Sequence, residues 1–333
     1  MTPINEDARV AAVAKRGKLT RRQAGFLVLV MVHSGVCVRR QYCAYAHIRH
    51  GQKVVDFFSS LVTRRVTTRY TAADGRGRIF HVHGRGLYAA IDEANNRNRK
   101  PVTLARAIER LMLLDAVLAQ PELRWLGTER EKVEYFSRRT RLREDEMPLL
   151  RFGFAPRQTV RYFPDKLPIG VTPDERSHLF LYLVTRDVPV DFRAFLHRHA
   201  ELFRALTHWE LRLLVPRHLD EAAPVFDVAA REELGMPLRL RDVEELGWYF
   251  RQRQRVERGG VEEDEARYRR ASRQFHGYRF RALYRQWKKG GDAFVHATVS
   301  RVLDDALTRR SGRIETQVLA RTYQQLGSLV GSA

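Results

Sequence analysis

Apolar residues in the first hundred positions fall into short runs divided by basic or glycine-containing breaks. The densest run, residues 24–32 (AGFLVLVMV), follows Thr20 at an N-cap position and precedes Gly35 at a C-terminal stop, which predicts a buried helix. Val36 to Val38 is a short β-branched stretch, and Arg39 to His47 reads as a second helix. A third opens at Gly51: Val54, Phe57, Phe58 and Leu61 recur at helical spacing, with Gln52, Lys53, Asp56, Ser59 and Ser60 on the opposite face. Val66 to Thr71 and Ile79 to His83 alternate as strands do, on either side of Asp74-Gly75-Arg76-Gly77-Arg78, and predict a hairpin.

Helix, short strand, helix, helix, hairpin is the order of a winged helix-turn-helix domain. In that arrangement the third helix lies in the major groove and the hairpin tip reaches backbone or minor groove. Winged helices also dock proteins. Arg76 and Arg78 at the tip, with Arg64, Arg65 and Arg69 at the base, favour the DNA reading because together they make a cationic ridge.

Further along, Leu87 to Glu93 begins another helix and residues 95–101 (NNRNRKP) break it. Residues 103–118 carry an amphipathic stripe, and Thr128 with Glu131 has capping-box spacing. Strand patterns at 159–163, 167–171, 179–185 and 209–216 surround a helical pattern at 191–206, which suggests a small α/β layer. From 228 the pattern is helical and rich in Arg and aromatics. Tyr268, Ala271, Phe275, Tyr278 and Ala282 at helical spacing place the aromatics in a core, while the arginines remain free to face solvent or DNA. The expected organisation is a polar arm at 1–17, a winged helix-turn-helix at 18–92, a helical connector at 93–150, the α/β layer at 151–227 and a basic helical region at 228–333. The fold class is α+β and predominantly helical.

Composition narrows the partners. Sixty Lys and Arg face 39 Asp and Glu, a net charge of +21, in a chain that is 44% hydrophobic and so can bury ordinary cores. A globular chain this basic repels itself without a polyanion nearby, so double-stranded DNA is the leading partner. Only eight of the sixty are lysine. Arginine suits phosphate and guanine recognition, but a GC-rich genome enriches it equally well. Cys37 and Cys43 are too few for a disulfide framework or a four-cysteine zinc site, which suggests a reducing, cytoplasmic setting with nucleoid association. The run at 24–32 is about half of what a bilayer span requires.

Candidate chemistry is sparse. Phe163-Pro164-Asp165 ahead of paired strands has the layout of a restriction-endonuclease-like fold, but the next strand offers Tyr182-Leu183-Val184 where a carboxylate and lysine are needed to hold a divalent metal. A catalytically empty version of that layer is the corresponding expectation. His81 and His83 share a strand face and are expected on the DNA-facing or packing surface of the wing. His197, His199 and His208 lack the spacing of a metal motif. No phosphate-binding GxxxxGK[ST] loop occurs, and Tyr323 beside Arg310, Arg313 and Arg321 is the best placed of the tyrosines for a recombinase-type nucleophile.

The segments KLTRRQAGFLVLVMVHSGV, VVDFFSSLVTRRVTTRYT and RIFHVHGRGLYAAI resemble the winged-helix start of replication-relaxation-type proteins of plasmids and integrative elements, over the first hundred residues. The resemblance implies DNA binding in a mobile-element context. The chain departs from the family's pattern in lacking the acidic strand residue after Asp165, which weakens any expectation of nicking.

The sequence thus predicts a non-enzymatic, sequence-specific DNA-binding protein, a transcriptional regulator or replication factor acting by site occupancy. His50, Gln52, Lys53 and Ser59 are expected to read bases, and Arg39, Arg40, Arg64, Arg65, Arg69, Arg76 and Arg78 to hold phosphates. No catalytic residue, metal, cofactor or small-molecule substrate is expected. A homodimer would suit such a regulator, although no heptad seam marks one. The alternatives are a metal-dependent nuclease or relaxase built on Asp165, and an adaptor for RNA or an acidic protein.

Overall fold

The computed structural model describes residues 6–71, 77–153, 158–235, 240–292, 309, 311–321 and 323. Its first helix, α1 (Glu6–Gly17), buries Val10 and Val13, which corrects the expectation of a polar arm at 1–17. The stretch has two apolar positions three apart, enough for one buried stripe. Thr20 then caps α2 (Arg21–His33): its hydroxyl accepts from the Gln23 N–H at 3.3 Å, and the Gln23 side chain accepts from the Thr20 N–H at 3.1 Å. α2 is buried on nearly every side by its run of Phe, Leu, Val and Met.

β1 (Val36–Cys37), α3 (Arg39–Ala46), α4 (Gln52–Thr63), β2 (Thr67–Thr71) and β3 (Arg78–Val82) follow within one or two residues of the expected positions. The three strands form an antiparallel sheet in the order β1-β3-β2, with Val36 opposite His81 and Arg69 opposite Phe80. One core joins these elements through Phe26, Tyr42, Phe57, Phe58 and Phe80. α5 (Arg85–Ala89) and α6 (Leu104–Leu118) complete the helical frame, α6 starting where the Thr103 hydroxyl accepts from the Arg106 N–H at 3.4 Å.

The remaining elements in chain order are β4 (Arg124–Leu126), α7 (Glu129–Arg139), β5 (Leu149–Phe152), β6 (Thr159–Tyr162), β7 (Ile169–Val171), β8 (Ser177–Leu183), α8 (Val190–Ala205), β9 (His208–Pro216), α9 (Ala223–Gly235), α10 (Leu240–Glu257), α11 (Glu265–Gln274), α12 (Tyr278–Gly290) and β10 (Gly312–Leu319). The chain is α+β and predominantly helical. It divides into two compact units, the first comprising residues 1–132, 166–175 and 319–333, the second 133–165 and 176–318.

In the first unit β4 pairs antiparallel with β7. In the second, β5 and β6 form an antiparallel ribbon, and β8 and β9 run parallel, joined by the α8 crossover that parallel strands require. Phe192, Phe195 and Phe203 of α8 pack on Phe180 and Tyr182 of β8. A separate core holds α10, α11 and α12 together through Tyr249, Phe250, Phe275, Leu283 and Trp287, so the late aromatics are core residues. The expectation of helix throughout 228–333 is corrected by β10, which flanks β9. Its Ile314, Thr316 and Val318 alternate with polar residues, a strand pattern within an otherwise helical neighbourhood.

Candidate nucleic-acid interface

α4 is two-faced for a simple reason of spacing. Val54, Phe57, Phe58 and Leu61 are buried, Phe57 against Tyr42 (ring centroids 4.7 Å apart) and Phe58 against Phe80 (4.4 Å). The opposite face presents Gln52, Lys53, Asp56, Ser59, Ser60 and Thr63 to solvent, and His50 is exposed just ahead of the helix. All four expected base-reading residues therefore lie on exposed surface, three of them on α4. The Gln52 amide donates to Asp56 Oδ1 at 2.7 Å, one turn on, so Gln52 is held in place by a carboxylate on the same face.

The sheet register gathers three of the expected phosphate contacts. Arg69 stands opposite Phe80 and Thr71 opposite Arg78, which puts Arg69, Arg78 and Phe80 on one face of the hairpin. Arg39, the first residue of α3, lays its guanidinium over the Phe80 ring, 5.5 Å from its centroid. Its Nε is enclosed without a hydrogen-bond partner. Burial, and then the charges of Arg78 and Arg69, lower the Arg39 pKa. Among the described residues none of these three arginines has a carboxylate within ion-pair distance. Three cations thus share one neighbourhood in which no described residue pairs with them.

The other expected phosphate contacts divide differently. Arg64 is exposed but donates to the Gly17 carbonyl at 2.6 Å. Arg65 is exposed, with a left-handed backbone (φ 54). Arg40 faces inward in its contacts: Asp115 takes its guanidinium at 2.8 Å and the Tyr323 hydroxyl at 2.8 Å. These bonds engage Nη2 alone, and the side chain is 38% exposed, so Asp115 shares the Arg40 charge that the sequence reading assigned to phosphate. Arg76 lies outside the described residues.

Several readings of isolated residues change. His81 is buried, its Nε2 3.0 Å from the Asn98 carbonyl, while His83 reaches Thr68 at 2.9 Å, so His81 is a packing residue. Tyr323 is buried, donates to Asp115 at 2.6 Å, and has its pKa raised by burial and then by the Asp115 charge, which is the reverse of what a nucleophile needs. Arg313 pairs with Glu210. Asp165 is paired with Arg198 at 2.5 Å. No group of three or more His, Cys, Asp or Glu able to hold a metal occurs among the described residues. His197 meets Glu233, and His199 stacks on Phe195 (4.0 Å).

Five arginines of the late helices have acid partners. Arg251, Arg253, Arg255, Arg267 and Arg269 pair with Asp292, Glu257, Glu263, Glu245 and Glu265. Five charges that looked available for phosphate in the sequence are matched on their own unit. No helix among the described residues is long and apolar enough to cross a membrane. Comparison with protein-family models, with curated proteins and with solved structures finds no match to this chain.

Proposed function

We propose that residues 18–92 act as a winged helix-turn-helix that binds double-stranded DNA, and that the protein works by occupying a site, as a regulator or replication factor. The observation that carries this reading is the cluster of Arg39, Arg69 and Arg78 around Phe80, beside α4 and without an ion-pair partner among the described residues. An uncompensated group of guanidiniums costs the folded state self-repulsion, and phosphate relieves it. α4 supplies the reading element. Lys53 and Ser59 are free to meet base edges, Gln52 is suited to adenine, and Asp56 accepts from the cytosine amino group. The hairpin and Arg39 hold the backbone beside the groove.

The test is fluorescence anisotropy on the full chain with pooled random duplexes and with DNA flanking its own gene, across a salt series. Replacing Arg39, Arg69 and Arg78 by alanine together is expected to weaken binding to every duplex and to lower the slope of log affinity against log salt by roughly 2–3, at about 0.9 per phosphate contact. Gln52→Ala is expected to flatten sequence preference with little change in that slope. An unchanged slope in the triple variant removes this surface as the DNA contact.

A further inference from the structure

In the second unit, α8, α9 and the first turn of α12 line a cleft of about 510 Å³, within the range of roughly 300–1,000 Å³ usual for small-ligand sites. Its lining combines apolar Val225, Val228 and Phe280 with charged Arg193, Glu232 and Arg279. Val225 and Val228 are 39% and 53% exposed, so these apolar side chains of the lining are open to solvent.

The charged residues are unevenly matched. Glu233, beneath them, accepts from Arg193 Nη1 at 2.6 Å and meets His197 Nε2, while Arg193 also pairs with Glu232. Arg279 Nε stands 3.4 Å from the Glu233 oxygen that faces His197, without hydrogen-bond geometry. The terminal nitrogens of Arg279 have no hydrogen-bond partner among the described residues. One buried carboxylate therefore serves three nitrogen bases, and Arg279, on the cleft wall, receives the least of it. Burial alone would raise the Glu233 pKa, but His197, Arg279 and Arg193 hold it down to about 2, so it stays an anion and leaves no proton to share. Gly277, the N-cap of α12, and Arg279 and Phe280 in its first turn all line the cleft, so the N-terminal end of that helix borders it.

We propose that this cleft binds a small amphipathic organic anion, with its carboxylate on Arg279 and its apolar body against Val225, Val228 and Phe280. An inorganic anion would leave the valines wet, and a neutral apolar molecule would desolvate Arg279 while offering its terminal nitrogens no acceptor. Only a ligand with both parts satisfies the site. This inference is independent of the DNA-binding reading, which concerns the other unit.

Isothermal titration of the full chain with sodium octanoate tests it, with octanol and inorganic phosphate in parallel. Octanoate is expected to bind once per chain, octanol at least tenfold more weakly, and phosphate not at all. Arg279→Ala is expected to weaken octanoate at least tenfold, and Val228→Asp to remove binding by setting a carboxylate among the apolar side chains of the lining. Because Arg279 also neighbours Glu233, the Val228→Asp variant at a half-exposed position decides the matter if Arg279→Ala does not fold. Absence of octanoate binding, octanol binding as tightly as octanoate, or wild-type affinity in the folded variants overturns the proposal.

Discussion

The Glu131 carboxylate is enclosed and still charged. It accepts from the Gly127 and Thr128 N–H groups at 2.8 Å each and pairs with Arg9. Burial alone would raise its pKa, but Arg9 and the two backbone donors hold it below the usual carboxylate range. Nearby, burial lowers His33 from 6.5 to about 4, and its Nδ1 has no partner. Both shifts act in the same direction. The unfolded chain protonates His33 near pH 6.5 and the folded chain only near 4, so that contribution is full above 6.5 and is lost between those values. Glu131 contributes above about 4.5 and loses its part below it. Denaturant melts from pH 7 to 4 are expected to show falling stability, with the loss above pH 4.5 reduced in His33→Leu and the loss below it reduced in Glu131→Gln. An unchanged slope in His33→Leu would mean that the ring is hydrated in the folded state. Thr128 and Glu131 were legible as a cap from their spacing, whereas Arg9, 122 residues away, carries no local signal.

At the scale of elements, the end of α2 shows where sequence reading stops. Gly35 marked the terminus correctly: its φ of +75 is a left-handed conformation that suits glycine, and its N–H closes on the Val30 carbonyl at 2.6 Å. What finishes the helix is Asn98, within a stretch legible only as a polar break. Its side-chain amide donates to the Met31 and Val32 carbonyls at 2.9 and 3.1 Å, and its own carbonyl receives His81. A side chain at Gly35 would come within 2.4 Å of that same carbonyl oxygen. Asn98→Ala is therefore expected to cost about 1–3 kcal/mol in thermal or denaturant unfolding, the range for stranding buried acceptors. A loss under about 0.5 kcal/mol would show that water replaces the amide. Helices with a long periodic stripe and a cap, α2, α4 and α6, were readable because burial and local preference agree. β4 and β5 were not, because three or four residues leave little periodicity of their own, and the alternation in β10 was masked by the helical pattern around it.

For the molecule as a whole, net charge gave the direction of the argument but not the surface. Five arginines of the late helices pair with acids on their own unit, while Arg39, Arg69 and Arg78 have no acid partner among the described residues, a distribution that composition alone cannot reveal. Distance along the chain hides the rest. Tyr323 returns to the first unit and places its hydroxyl among Asp115, Arg40 and Gln41. Tyr323→Phe is expected to lower stability by about 1–2 kcal/mol and to speed tryptic cleavage after the exposed Arg321, since the anchor lost is a buried hydrogen bond to a charged group. Unaltered proteolysis would show that the ring alone holds the segment. The same contact fixes an order of events during synthesis. Tyr323 leaves the ribosome 208 residues after Asp115, a delay of roughly 10–40 s at about 5–20 residues per second. Throughout that interval Asp115 and Arg40 wait beside an unfilled position, so the part of the protein made first is completed by the part made late.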